Sequence, residues 1–163
     1  MSRTARELLV EVRSNVRRGA PSNLRISRWA RAAAGTRGRN AELALRIVGA
    51  AEGRRLNLLW RGRDYATNVL SFPAPAGTRG SLAARSLGDI VICAPLVARE
   101  ARQQDKRPDH HWAHLVVHGV LHLLGYDHEN EPDAERMERR ERRVLADFGI
   151  PDPYRISSSV SES

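Results

Sequence analysis

Three histidines in the segment His118-Gly-Val-Leu-His122-Leu-Leu-Gly125-Tyr-Asp-His128 are spaced to hold a metal ion, and all six histidines of the chain lie between His110 and His128. Residues four apart lie one turn apart on the same face of a helix, so His118 and His122 can aim their imidazoles at one point. A continued helix would carry His128 elsewhere. Gly125 can adopt the left-handed conformation that ends a helix and turns the chain back, which lets His128 close the triangle. Three neutral imidazoles suit zinc, copper, nickel or iron, and three protein ligands plus an open water position is the usual arrangement of a catalytic zinc. His114 lies one turn before His118. Each four-residue step advances about 400°, so the stripe drifts about 40° per turn and His114 and His122 are poorly placed to share one ion. His114 is expected to support a ligand from behind or to contact substrate, or else to be a satisfied core histidine. His110 and His111 read as helix-start or surface residues.

The histidine spacing is also that of the metzincin metalloproteases, with one departure, because position 119 is Gly where those enzymes carry the glutamate that takes the proton from the metal-bound water. The metal cage is present and the protease base is missing. A peptidase is therefore disfavoured.

The helix that carries these histidines is expected from about Pro108 to Leu124. Leu115, Val116, Val117, Val120, Leu121, Leu123 and Leu124 make it apolar on nearly every side, the pattern of a central, buried helix. Imidazoles in such a place are costly unless they bind something. Ahead of it, a first strand is expected over Glu7 to Arg13, and Ser22 is placed to cap a helix from Asn23 to Ala34 that Gly35-Thr-Arg-Gly38 breaks. Alternation of Leu43, Leu45 and Ile47 with polar residues predicts a half-buried strand from Ala41 to Val48. A helix from Ala50 to Trp60 follows, then short strands at Asn68 to Phe72 and Asp89 to Cys93, each stopped by a proline. Ala74 to Leu87 between them reads as a mobile loop. Pro95 suits the first turn of a helix reaching about Gln104. The last helix is expected from Asp133 to Phe148, with Met137, Val144, Leu145 and Phe148 on the core and its many charges forming a solvated face.

The order of elements predicts a single α+β domain over residues 1–156: a small mixed β-sheet packed with a central metal-binding helix and several surrounding helices. The serine-rich tail 157–163 is expected to be disordered. At 163 residues the chain is long enough for a sizeable core without disulfides, and its one cysteine, Cys93, reads as a buried thiol. No apolar stretch approaches the length of a membrane span and the N-terminus has no signal-like core, so the expected location is cytoplasmic, with no membrane partner. The formal net charge is +8, which points to a polyanionic partner, nucleic acid first. Of the 27 basic residues only Lys106 is lysine; arginine forks onto phosphate oxygens in pairs.

The histidine segment, together with Leu56-Asn57, Arg61-Gly-Arg-Asp64, Thr67-Asn68-Val-Leu-Ser71-Phe72-Pro73 and Gly88-Asp89-Ile90, closely resembles the YbeY family of bacterial rRNA-maturation endoribonucleases. The match runs from about Leu56 to Pro153-Tyr154, and Ala66 departs from a position where that family often has Pro. The resemblance implies one zinc ion per chain on His118, His122 and His128, and a single-strand-specific endoribonuclease acting in 16S rRNA 3′-end maturation and ribosome quality control. It also implies RNA of the small ribosomal subunit as partner, with ribosomal proteins or a ribosome-associated GTPase as further candidates. Arg61 matches a basic residue near the metal, where it would hold a phosphate and act with His118 in catalysis; read without the family, it pairs equally well with Asp64 on the surface. Thr67, Asn68, Ser71 and Asp127 are expected to orient a ligand histidine or touch substrate, and Asp127 reads equally as an exposed turn residue. The alternatives are a non-catalytic, zinc-stabilised ribosome-assembly factor and a metal hydrolase of another substrate class.

Overall fold

The structure, a computed structural model, describes residues 6–80 and 84–155. Four strands form one mixed sheet in the order β1-β2-β4-β3, with β1 (Leu9–Ser14), β2 (Ala41–Val48) and β4 (Arg85–Cys93) parallel and β3 (Val69–Pro73) antiparallel to β4 at the edge. The helices are α1 (Asn23–Ala34), α2 (Ala50–Arg61), α3 (Ala94–Gln103), α4 (Pro108–Leu123) and α5 (Glu131–Ala146), and a 3-10 turn covers Gly35–Gly38. This is the α+β arrangement expected. None of the helices among the described residues is long and apolar enough to cross a membrane.

The two faces of β4 explain how the sheet is clothed. Successive side chains of a strand point to opposite faces. Ile90 and Ile92 join Leu43, Leu45 and Ile47 in the main core against α1 and α4, while Val91 and Cys93 join Val48 and Leu70 in a second cluster that Leu56 of α2 and Phe72 flank. Burial pushes the Cys93 thiol pKa up, consistent with an inert core residue. Both faces of the sheet are covered, so β2 is not the half-buried strand its alternation predicts. It lies between two neighbours and only Ala44 and Arg46 escape full burial.

Helix α4 runs through the middle of the protein. From His110 to Leu123 every residue is buried except His110, His114, His118 and His122, which are half-buried at intervals of four. The histidine stripe is thus the one open face of an otherwise enclosed helix. Gly119 lets that helix approach the sheet: a Cβ there would lie 3.1 Å from Ile90 Cδ1 and 3.3 Å from Ser71 Oγ. The position where a protease has its glutamate is spent here on backbone-to-sheet packing. At the C-terminal end Gly125 has φ +99°, the Tyr126 amide donates to the Leu121 carbonyl and the Gly125 amide to that of His122, a glycine-based helix stop.

Other boundaries shift for local reasons. Asn130 caps α5 by accepting from the Asp133 amide, so the helix begins two residues before the expected Asp133, with Pro132 in its first turn. Phe148 is 39% exposed and does not face the core, because α5 ends at Ala146 and the chain turns at Gly149. β4 starts at Arg85, which shortens the expected loop. The tail 157–163 lies outside the described residues.

Candidate active site

A cavity of about 490 Å³ opens against β3, the edge strand. His118, His122 and His128 line it together with Trp60, Arg61, Asn68, Ser71 and Phe72. The two α4 histidines come from successive turns, and the Gly125 stop brings His128 round so that its ring lies 5.5 Å from that of His118. His128 is exposed, with 57% of its side chain accessible, and its amide donates to Asp127 Oδ1 at 2.7 Å. The same carboxylate oxygen is 3.7 Å from His128 Nδ1, close enough to bias the ring and too long for a direct hydrogen bond.

Behind His118 stands a carboxylate that reads in the sequence as one of the many solvated charges of the last helix. Glu141 of α5 is fully buried, with one oxygen 2.7 Å from His118 Nδ1 and the other 2.8 Å from His114 Nε2 and accepting from the Tyr154 hydroxyl at 2.5 Å. Burial pushes its pKa up, but hydrogen bonds with His114 and His118 outweigh that and hold it at about 2. An ionised carboxylate only accepts, so His118 carries its proton on Nδ1 and keeps Nε2 as the free lone pair. That is how a histidine is prepared to bind a metal. For His122, burial and then the nearby His118 push the pKa down, which favours the neutral, ligand-competent imidazole. The donor set therefore fits a divalent, imidazole-preferring metal.

Two groups of potential ligands share His118. Among the described residues, His114, His118 and Glu141 have donor atoms within 4.8 Å of one another, whereas the trio expected from sequence lines one cavity in a looser arrangement. In the tighter group both Glu141 oxygens already accept hydrogen bonds, and the carboxylate has no access to solvent. An ion there would break that network and lack an open position. An ion on the cavity-lining trio would leave that network intact, with Glu141 bonded behind His118.

The remaining residues separate cleanly. Arg61 does not pair with Asp64, because Arg54 takes both oxygens of that carboxylate at 2.7 and 2.8 Å. Among the described residues Arg61 makes no ion pair, and it faces the cavity. Asn68 lines the cavity and donates to Glu100 at 3.0 Å. Ser71 sits beside Gly119, whose carbonyl is 3.5 Å from its hydroxyl. Thr67 is half-buried next to that strand and is not on the cavity wall. His114 faces a different cavity with Tyr154; it is joined to His118 through Glu141 and by an edge-to-face ring contact at 6.2 Å. His111, read as a helix-start or surface residue, lies in the first turn of α4 and is buried there, bonded to Glu100 at 2.9 Å. Glu141 could have been found: it lies four residues after Met137 and four before Leu145, on the core stripe of α5 rather than its solvated face.

Comparison with known proteins adds a family. The family described as Endoribonuclease YbeY matches residues 21–149. A protein named Endoribonuclease YbeY from Alkalilimnicola ehrlichii is 59% identical over 144 residues, covering 86% of each chain. One of the same name from Stenotrophomonas maltophilia is 56% identical over 140 residues, 85% of this chain and 87% of the other. Among solved structures, the solution structure of TM1509 from Thermotoga maritima matches with a TM-score of 0.54 and 22% identity, over 90% of this chain and 99% of that one. The last likeness speaks for the fold.

Proposed function

This chain belongs to the Endoribonuclease YbeY family, and from that premise we infer that it is a metal-dependent endoribonuclease acting in rRNA processing. The readings as a non-catalytic assembly factor or as a hydrolase of another class are not favoured by its relatives. The finer parts of the proposal are a zinc ion on His118, His122 and His128, cytoplasmic location, selectivity for single strands, and a substrate at the 3′ end of small-subunit rRNA.

The observation that carries the site assignment is the meeting of three histidines and Arg61, which makes no ion pair among the described residues, on one cavity wall. Held there, zinc would supply Lewis-acid polarisation of a phosphodiester. Arg61 neutralises charge that builds on the phosphoryl oxygens in the transition state, and being free of Asp64 it needs no partner displaced to do so. Glu141 keeps the His118 proton on Nδ1 and fixes the ring. Gly119 stands where a metzincin protease carries its glutamate base, and Glu141 is held behind His118, which supports phosphodiester rather than peptide chemistry. The surplus of arginine grips the RNA backbone through phosphate contacts.

The test is cleavage of a precursor small-subunit rRNA 3′ fragment by wild type, Arg61→Ala and His122→Ala, with metal content and folding recorded for each. Cleavage lost in a folded, metal-loaded Arg61→Ala protein is expected. Equal activity in all three would expose a contaminating nuclease, and an inactive, metal-loaded wild type would turn the assignment towards an assembly factor.

A further inference from the structure

Of the three tryptophans, Trp29 and Trp112 are buried at 3% and 1% exposure, while Trp60 is 64% exposed. It stands in the last turn of α2, on the wall of the histidine cavity, immediately before Arg61. Its indole is not loose on the surface: the ring centroid lies 5.9 Å from that of half-buried Phe72 on β3, with the planes tilted by 59°. A tilted ring contact of this kind braces one aromatic ring against another. What sets Trp60 apart is that it is both exposed and part of the cavity lining that holds the histidines and Arg61.

We propose that Trp60, braced by Phe72, is the platform on which one unpaired nucleobase of the RNA substrate stacks while the adjoining phosphate lies against Arg61. This rests on the endoribonuclease reading of the same cavity and names how that site chooses its substrate. Every base has an apolar π-face, so stacking on an aromatic side chain is tolerant of sequence. In a duplex both faces of a base are already covered by its neighbours, and only a base in a single strand can be splayed onto the indole. Trp60 therefore supplies preference for single strands without reading a base edge. The adjacent arginine explains why the occupant is a nucleotide rather than an apolar peptide. Leu58 and Leu59, 48% and 70% exposed on the same turn, do not line the cavity, and a protein docked on them is the competing outcome of the test.

The experiment uses the full-length, metal-loaded protein and a short single-stranded oligoribonucleotide in which one abasic residue is scanned along the sequence. Trp60→Ala is expected to raise KM by about tenfold with much less change in kcat, Trp60→Phe to recover most of the loss, and Trp60→Leu to recover little. One abasic position should mimic Trp60→Ala, and combining the two should cost no more than either alone. In an Arg61→Ala background, where cleavage is slow, RNA should quench the exposed indole, and Trp60→Phe should abolish that signal. Cleavage by wild type with a KM within twofold in Trp60→Ala would overturn the platform alone, as would losses that add at every abasic position. Full recovery by Trp60→Leu would overturn it in favour of apolar protein docking. A folded wild type that neither binds nor cuts RNA would remove the endoribonuclease reading, and the platform with it.

Discussion

Replacing Glu141 tests how the histidine helix is organised, because a single buried carboxylate holds His118, His114 and Tyr154 at once. Losing the carboxylate behind a ligand histidine frees the ring and lowers its basicity, which typically weakens metal binding by about 10- to 100-fold. At about 1.4 kcal/mol per tenfold this is about 1.4 to 2.8 kcal/mol. Stability falls too. Glu141→Ala leaves two ring N–H groups and one hydroxyl without an acceptor, at about 1–3 kcal/mol each, offset by no longer burying a carboxylate and by the 23% and 13% exposure of the His118 and His114 side chains. A net loss of about 3–5 kcal/mol, the usual cost of breaking a buried pair, is expected for Ala. Gln keeps the volume and one acceptor oxygen, so it should lose less stability and still show the metal defect. The assay is competition for Zn2+ against a chromophoric chelator, with thermal melts of the metal-free proteins alongside. Folded Gln and Ala variants that both bind zinc within twofold of wild type would refute the orienting role. Binding abolished in Glu141→Ala and His114→Ala but retained in His128→Ala would place the ion in the buried group and refute the cavity trio.

Arg61→Ala should lower kcat by about a hundredfold with an unchanged melting temperature, since the residue is exposed and makes no ion pair among the described residues; a matching fall in melting temperature would assign it a structural role instead. Gly119→Glu should destabilise the protein by more than about 3 kcal/mol in denaturant titration, from overpacking against Ile90 and an unpaired buried charge; a stable variant would mean that α4 does not need its close approach to the sheet. Chelating the metal should lower the melting temperature, and re-addition should restore it in wild type but only weakly in His122→Ala. RNA affinity measured against salt should fall with a log–log slope of about −0.7 for each phosphate contact, and Arg61→Ala should reduce that slope by about one contact.

Local signals in the sequence were strong wherever a residue acts on its own neighbours. Ser22 caps α1 through the Arg25 amide, and Gly125 ends α4 with a positive φ. Such features depend on chain geometry within a turn or two, so residue type and spacing reveal them. The misreadings arose where a distant element intervened. Alternation along β2 predicts one wet face, but at its end Val48 joins Leu70, Val91 and Cys93 in a cluster flanked by Leu56 of α2 and Leu96 of α3, and Glu42 is buried as well, which leaves Ala44 and Arg46 as the open part of that face. His111 reads as a surface residue until Glu100 of α3 is brought beside it. Arg61 and Asp64 are three apart and invite pairing, yet Arg54, a whole helix turn and more away, meets Asp64 with a two-pronged fit.

By itself the sequence determined the shared helix face of His118 and His122, the turn that returns His128 towards them, the glycine at position 119 where a protease base would stand, and the family these motifs resemble. Those are properties of short segments, written in spacings that the backbone period converts directly into direction. Only the tertiary structure decided that Glu141 holds the Nδ1 side of His118, that His114 belongs to a different cavity, that Arg61 has no ion pair among the described residues, and that Trp60, braced by Phe72, lines the histidine cavity. Each of these joins residues from separate elements, and the distance between them is set by how α2, α4 and α5 pack around the sheet, which no local spacing encodes.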